Sequence, residues 1–176
     1  MNGMDQIIII EDFLNTNELQ TLMEIIKLKV WSYGHSSGDF EKVNNRFFST
    51  HNTEAFFLEY IKNKIEVTFK HKYTLNRHYM HIQTFGQDGG YHIDDSSPNT
   101  YTFCIYISEI SKEDLEFANG DFLIKIPNEK QIICIETVNN RGVFFPSHFF
   151  HKGMAYNRFF PHKRLCLTWK LQEKEK

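Results

Sequence analysis

The residues of this chain best equipped for chemistry are His92-Ile93-Asp94, a second histidine at His151, and Arg164 at the head of Arg164-Leu165-Cys166-Leu167. Residues two apart on a strand point to one face, so His92 and Asp94 can grip one ion while Ile93 turns away. A third donor from a distant strand, His151, completes the set. Two imidazoles and one carboxylate on one face of an ion leave its other positions open, a donor set that suits non-haem Fe(II) and lets dioxygen and a co-substrate bind beside it. A guanidinium placed past the second histidine can hold the far carboxylate of a dicarboxylate co-substrate by two parallel hydrogen bonds.

A lone His-x-Asp is a weak signal in a chain with nine histidines. Order and setting strengthen it. The pair follows Phe85-Gly86-Gln87-Asp88-Gly89-Gly90-Tyr91, whose glycines let the backbone turn tightly. A strand-like run, Thr102-Phe103-Cys104-Ile105-Tyr106-Ile107, comes next, and Phe144-Phe145-Pro146-Ser147 precedes His151. His148 competes with His151 as third donor. The remaining histidines, His35, His51, His71, His78, His81 and His162, read as surface or packing residues.

Strands are needed to aim these groups, and the second half of the chain supplies them. Short β-rich runs bounded by turn residues are predicted at 79–85, 101–107, 122–126, 132–138, 142–145 and 164–171. Earlier, 7–10 reads as a first strand and Asp12-Phe13-Leu14-Asn15 leads into a helix with apolar Leu19, Leu22, Met23 and Ile26. Asn15 and Glu18 have the form of a capping pair. A second helical pattern spans about 53–69, with Phe57, Ile61 and Ile65 on one side. Helices followed by many short strands predict an α+β domain, with N-terminal helices packed on one face of a double-stranded β-helix (jelly roll). No repeat or linker marks a second domain, so residues 1–176 are expected to form one unit, with helical support at about 12–70 and the jelly-roll core at about 73–171.

A formal charge of −2 and a pI near 6.5 give no electrostatic case for a nucleic-acid or anionic-membrane partner. The four-isoleucine run is too short for a signal segment or a membrane span. Three widely spaced cysteines, Cys104, Cys134 and Cys166, read as buried free thiols of a reducing compartment, so the expected location is cytoplasmic. The lysine-rich end, 170–176, reads as a solvated tail.

Taken together these motifs resemble the 2-oxoglutarate/Fe(II)-dependent dioxygenases, in their prolyl 4-hydroxylase-like branch. The resemblance covers about 75–171 and rests on Phe85-Gly86, His92-x-Asp94, Tyr106-Ile107, Asn119-Gly120-Asp121, Phe145-Pro146-Ser147-x-x-x-His151, and Arg164 through Trp169. It implies Fe(II) held by His92, Asp94 and His151, the Pro-Ser spacing selecting His151 over His148, and no catalytic residue beyond these ligands. It also implies 2-oxoglutarate anchored by Arg164 with Gln83 nearby, ascorbate as reductant, and hydroxylation of a C–H bond with release of succinate and CO2. Two departures stand out. The turn is Asn-Gly-Asp where Gly-Gly-Glu is usual, and the stretch from His151 to Arg164 is longer than usual, which makes Arg158 the alternative anchor. Asp95 and Ser147 are the candidates for orienting the ligand histidines.

The expected substrate is a peptidyl residue, prolyl among the options, with a free amino acid or small metabolite second; the protein itself is expected as a monomer or weak homodimer. Loops 36–45, 95–100 and 154–163 should shape the mouth, with Trp31, Tyr33, Phe159 and Phe160 as aromatic contacts. A non-catalytic jelly-roll module binding a small ligand is the rival from another class; it leaves the three ligands and the arginine without a purpose. Gly34-His35-Ser36-Ser37-Gly38 matches a nucleophile elbow, but the stretch after it lacks helical apolar spacing.

Overall fold

The computed structural model describes residues 3–37 and 46–174. Among these residues ten strands form two antiparallel sheets. The larger has seven strands in the order β1 (Ile8–Ile10), β8 (Gly142–Pro146), β5 (Thr100–Ile107), β10 (Arg164–Glu173), β4 (Tyr73–Gln83), β3 (Phe47–His51) and β2 (Ser32–His35). The smaller runs β7 (Ile132–Ile135), β6 (Phe122–Lys125), β9 (Phe150–Gly153). Helix α1 (Thr16–Lys27) follows β1, a π-helical turn (Phe56–Ile61) runs into α2 (Lys62–Phe69), and α3 (Lys112–Ala118) precedes β6. None of these helices is long and apolar enough to cross a membrane.

Side chains alternate across a strand, and on the three central strands that alternation divides core from chemistry. Leu165, Leu167, Trp169 and Leu171 of β10, Met80 and Ile82 of β4, and Phe103, Ile105 and Ile107 of β5 join Leu22 of α1 and Phe57, Ile61 and Ile65 of the helical segment in one core. The opposite faces carry Arg164, Cys166, Thr168 and Lys170; Tyr79, His81 and Gln83; and Thr102, Cys104 and Tyr106, all lining one cavity. Cys104, Tyr106 and Cys166 also pack with Phe145 of β8, Phe122 and Ile124 of β6 and Ile135 of β7, joining the two sheets in a second core.

Local chemistry sets the ends of these elements. Asn15 accepts from the Glu18 backbone N–H at 3.0 Å while Glu18 accepts from the Asn15 N–H at 2.7 Å, closing a capping box on α1. Ser111 caps α3 through the Asp114 N–H. After α3, Gly120 sits at φ +86, and a Cβ there would lie 2.3 Å from the Tyr156 ring, so only glycine fits both conformation and space. Trp169 is fully buried against His78, with centroids 4.2 Å apart, and donates its indole N–H to the Phe57 carbonyl at 3.0 Å.

Several elements differ from expectation. The helical pattern over 53–69 opens as a π-helical turn, and α3, β2, β3 and β9 add to the predicted set. Strand β10 continues to Glu173, so Lys170 belongs to the sheet and not to a solvated tail. Cys104 and Cys166 are buried, but Cys134 is exposed on β7, in the three-stranded sheet, where burial alternates along a short run.

Candidate active site

His92, Asp94 and His151 come together, each offering a donor atom within 4.8 Å of the others. A bridge between His92 and His151 brings the post-glycine segment against β9: each residue's N–H donates to the other's carbonyl, at 3.1 and 2.9 Å. Asp94 is pinned by its own N–H, which donates to the Ser147 carbonyl at 2.9 Å. The histidines' Nδ1–H groups donate to the carbonyls of Gly90 and Phe149, each at 2.9 Å. That fixes the tautomer and leaves both Nε2 lone pairs toward Asp94 Oδ1, at 3.4 and 3.5 Å. Backbone carbonyls thus do the orienting expected of Asp95 and Ser147. Asp95 instead accepts from the Ser97 N–H, and Ser147 meets Thr102.

The two oxygens of Asp94 have separate tasks. Oδ1 faces the imidazoles, while Oδ2 accepts from the Thr102 hydroxyl at 2.6 Å and pairs with the Lys170 ammonium. Burial works to raise the Asp94 pKa, but the groups facing it, the Lys170 ammonium among them, outweigh it and hold the carboxyl well below its usual range. Burial pushes His151 down against the pull of Asp94, keeping it neutral and able to ligate. For Lys170, burial acts against the charge, and the facing Tyr79 and Asp94 more than offset it. The donor set, its tautomers and its single free carboxylate oxygen suit a divalent ion with open positions.

Behind the triad a narrow inner chamber ends at Arg164, which is 1% exposed. Arg164 Nε donates to the Gly120 carbonyl and Nη1 to Gln83 Oε1, both at 2.7 Å, so the guanidinium is braced. Its Nη2 donors have no acceptor among the described residues. Gln83 in turn donates to the carbonyls of Gln87 and Gly153, at 2.7 and 3.2 Å. Its amide is committed, so Gln83 positions Arg164 instead of presenting a free polar group. Gly153 leaves the needed room: a Cβ there would lie 2.9–3.0 Å from both Nη atoms. Two buried polar atoms on this chamber's walls, Tyr106 Oη and His81 Nδ1, have no hydrogen-bond partner among the described residues. A cation and unpaired polar atoms at such a depth fit a polar co-substrate, which would satisfy them.

On the other side of the triad lies an outer chamber of about 300 Å³, lined by His35, Arg77, Tyr79, Asp95, Thr100 and Ser147 among others. His92, Asp94, Tyr79, Ser37 and Lys170 line both chambers and form their shared wall. Burial and the charge of Arg77 push His35 down to about 4, so it is neutral at neutral pH.

The structure separates the competing candidates. His148 is exposed, its ring against Phe149, and lines a different depression. Arg158 is exposed over the Phe159 ring, while Arg164 reaches the chamber. His78 is buried, with Nδ1–H donating to the Thr168 carbonyl and Nε2 accepting from Asn52. His35 and His81 do more than pack, since each lines a chamber. The expected aromatic contacts lie elsewhere: Tyr33 pairs with Phe48, Trp31 joins the helical core, Phe160 packs near Tyr156, and Phe159 is 74% exposed. Of the expected mouth loops, Ser36, Ser37, Asp95 and Thr100 contribute, 154–163 does not, and 38–45 lies outside the described residues, with Gly38 of the elbow motif. Sequence reasoning missed Tyr106, His81 and Lys170. Two-residue steps from Arg164 through Cys166 and Thr168 reach Lys170, and that signal was there to be followed.

Neither a family model nor a curated protein matches the chain by sequence. Solved structures do match it by shape. A 2OG-Fe(II) oxygenase family oxidoreductase from Burkholderia pseudomallei superposes with a TM-score of 0.74 at 11% identity, over 96% of this chain and 85% of that one. A prolyl hydroxylase from Trichoplax adhaerens, in complex with a hypoxia inducible factor peptide fragment, gives 0.67 at 16% identity over 95% and 84%. A Pseudomonas putida prolyl-4-hydroxylase gives 0.62 at 15% identity over 97% and 94%. With its antiparallel sheets and its His-Asp-His cluster, the chain has the fold of the 2-oxoglutarate/Fe(II) oxygenases, prolyl hydroxylases among them.

Proposed function

We propose that the protein is a 2-oxoglutarate-dependent Fe(II) dioxygenase that hydroxylates a substrate C–H bond. The observation that carries this reading is the convergence of His92, Asp94 and His151 at the wall between a chamber ending in a buried arginine and a chamber open to solvent. His92, Asp94 and His151 would hold the iron, and Arg164, with Tyr106 beside it, the distal carboxylate of 2-oxoglutarate. When bound, iron and co-substrate supply dioxygen activation coupled to oxidative decarboxylation, giving succinate and CO2.

The chain's own residues do the rest. Gly90 and Phe149 keep the histidines in the ligating tautomer, Thr102 and Lys170 keep Asp94 to one donor oxygen, and Gln83 and Gly120 aim Arg164. Burial of the inner chamber excludes water from the reacting face. A peptidyl substrate, prolyl among the options, is the reading that the prolyl hydroxylase neighbours favour. A free amino acid or small metabolite is the second, favoured by the small, cation-bearing outer chamber.

The test is succinate release with Fe(II), ascorbate and 2-oxoglutarate, with peptides and amino acids screened for a gain of one oxygen. Succinate formed in step with a hydroxylated product supports the assignment. A non-catalytic binding module would form none.

A further inference from the structure

Strand pairing places Lys170 directly opposite Arg77 on β4, so both side chains project from one face, and both line the outer chamber. Like charges directly opposite each other on an antiparallel pair repel, so the arrangement costs stability unless anions answer it. Only one of the two is answered. Lys170 pairs with Asp94, whereas the Arg77 guanidinium lies over the Tyr79 ring at 4.6 Å with no carboxylate partner among the described residues. An ammonium has three donors, and Lys170 commits only one to Asp94. Tyr79, whose phenol burial holds up at about 12, is a donor at neutral pH and makes no hydrogen bond among the described residues. The chamber's other acidic group, Asp95, is engaged by the Ser97 N–H. With ferrous iron and dianionic 2-oxoglutarate in place, Arg77, Lys170 and Arg164 set against Asp94 and Asp95 still leave one positive charge in excess.

We propose that the outer chamber selects its substrate by a carboxylate, seated on the Arg77 guanidinium beside Lys170, which makes Arg77 a specificity-determining residue. The inference rests on the iron reading of the triad for what happens to the bound substrate; the seat itself is built from other atoms. The carboxylate can belong to a free amino acid or other small acid, or to an acidic side chain or C-terminus of a peptide.

The test compares acids with their amides. Free amino acids, their α-amides, short peptides containing Asp or Glu, and a capped neutral prolyl peptide are each supplied with Fe(II), 2-oxoglutarate and dioxygen, and the oxygenated product is quantified by mass. Acids are turned over and their amides are not; free acids alone indicate a small-molecule source, acidic peptides alone a peptide source. Arg77→Gln raises KM for the accepted acid about ten- to hundredfold, the loss of one charge-assisted contact, and Arg77→Lys recovers part of it. The anaerobic Fe(II)–2-oxoglutarate absorption, present in wild type and Arg77→Gln alike, reports an intact iron site. Amides accepted as readily as acids, a preferred neutral prolyl peptide, or a KM indifferent to Arg77→Gln would overturn the seat. Absence of that absorption in the wild type counts against the iron reading alone. The seat is then judged by saturation-transfer NMR with the same acids and amides: acid-selective binding lost in Arg77→Gln upholds it, and equal signals refute it.

Discussion

The two chambers share a wall but treat their arginines differently. In the inner chamber Arg164 is fully buried, braced by Gly120 and Gln83, and lies over the Tyr106 ring at 5.0 Å. In the outer chamber Arg77 is exposed and, among the described residues, held by the face of Tyr79. A braced, desolvated guanidinium is preorganised for one ligand of fixed geometry, and a loosely held one adapts to ligands of varied shape. The contrast matches an invariant co-substrate inside and a selected substrate outside.

Breaking the inner brace should have the largest effect. Arg164→Met removes a charge-assisted anchor, so KM for 2-oxoglutarate should rise about a hundredfold, and the acceptors on Gln83 and Gly120 left without a donor should cost about 1–3 kcal/mol of stability. Steady-state kinetics and chemical denaturation read the two losses separately. Next comes the wall. Thr102→Val deletes the donor that holds Asp94 Oδ2, and iron affinity, followed by anaerobic titration, should fall about 10- to 100-fold. Tyr106→Phe sharpens the contrast more gently: KM for 2-oxoglutarate should rise about tenfold or less, while the ligand-free protein keeps its stability or gains slightly, because the deleted hydroxyl has no partner among the described residues.

The reverse face of β4 should govern acid stability, apart from either chamber. Burial pushes His78 from 6.5 to about 3. Burial works to raise Glu66, yet Lys62, Lys72 and the Tyr73 N–H bring it from 4.5 to about 2. Both folded pKa values are depressed, so the unfolded chain takes up protons that the fold refuses. Stability contributed by these groups is complete above about pH 6.5, declines first through His78, and declines more steeply below about pH 4.5 as Glu66 joins. Thermal melts against pH should trace this course, and Glu66→Gln should flatten its acid end.

The same contrast explains what could be read from the sequence. His151 and Arg164 stand on β9 and β10, while His92 and Asp94 lie outside the named strands, with His92 held by a single bridge to His151, so the expected strand there is absent; the motif spacing still made the four legible as a set, as were the capping pair of Asn15 and Glu18 and most strand cores. Lys170 carried the same two-residue signal, but its place among charged residues near the end of a strand that β4 and β5 extend gave it the look of a solvated tail. Tyr106 and His81 sit in runs where both faces are buried, and there alternation gives no polar mark to separate core from cavity. β3 and β9 exist through pairing with β4 and β6, a tertiary cause that their short local sequences do not carry. The outer chamber was the least legible, since Arg77 acquires its meaning only from the residue opposite it.

The most direct test of the shared wall is the visible absorption of the protein on anaerobic addition of Fe(II) and 2-oxoglutarate. A charge-transfer band from the chelated keto acid should appear, need both additions, and vanish in Asp94→Ala. No band in the wild type, or one that survives Asp94→Ala undiminished, would contradict an iron centre at His92, Asp94 and His151.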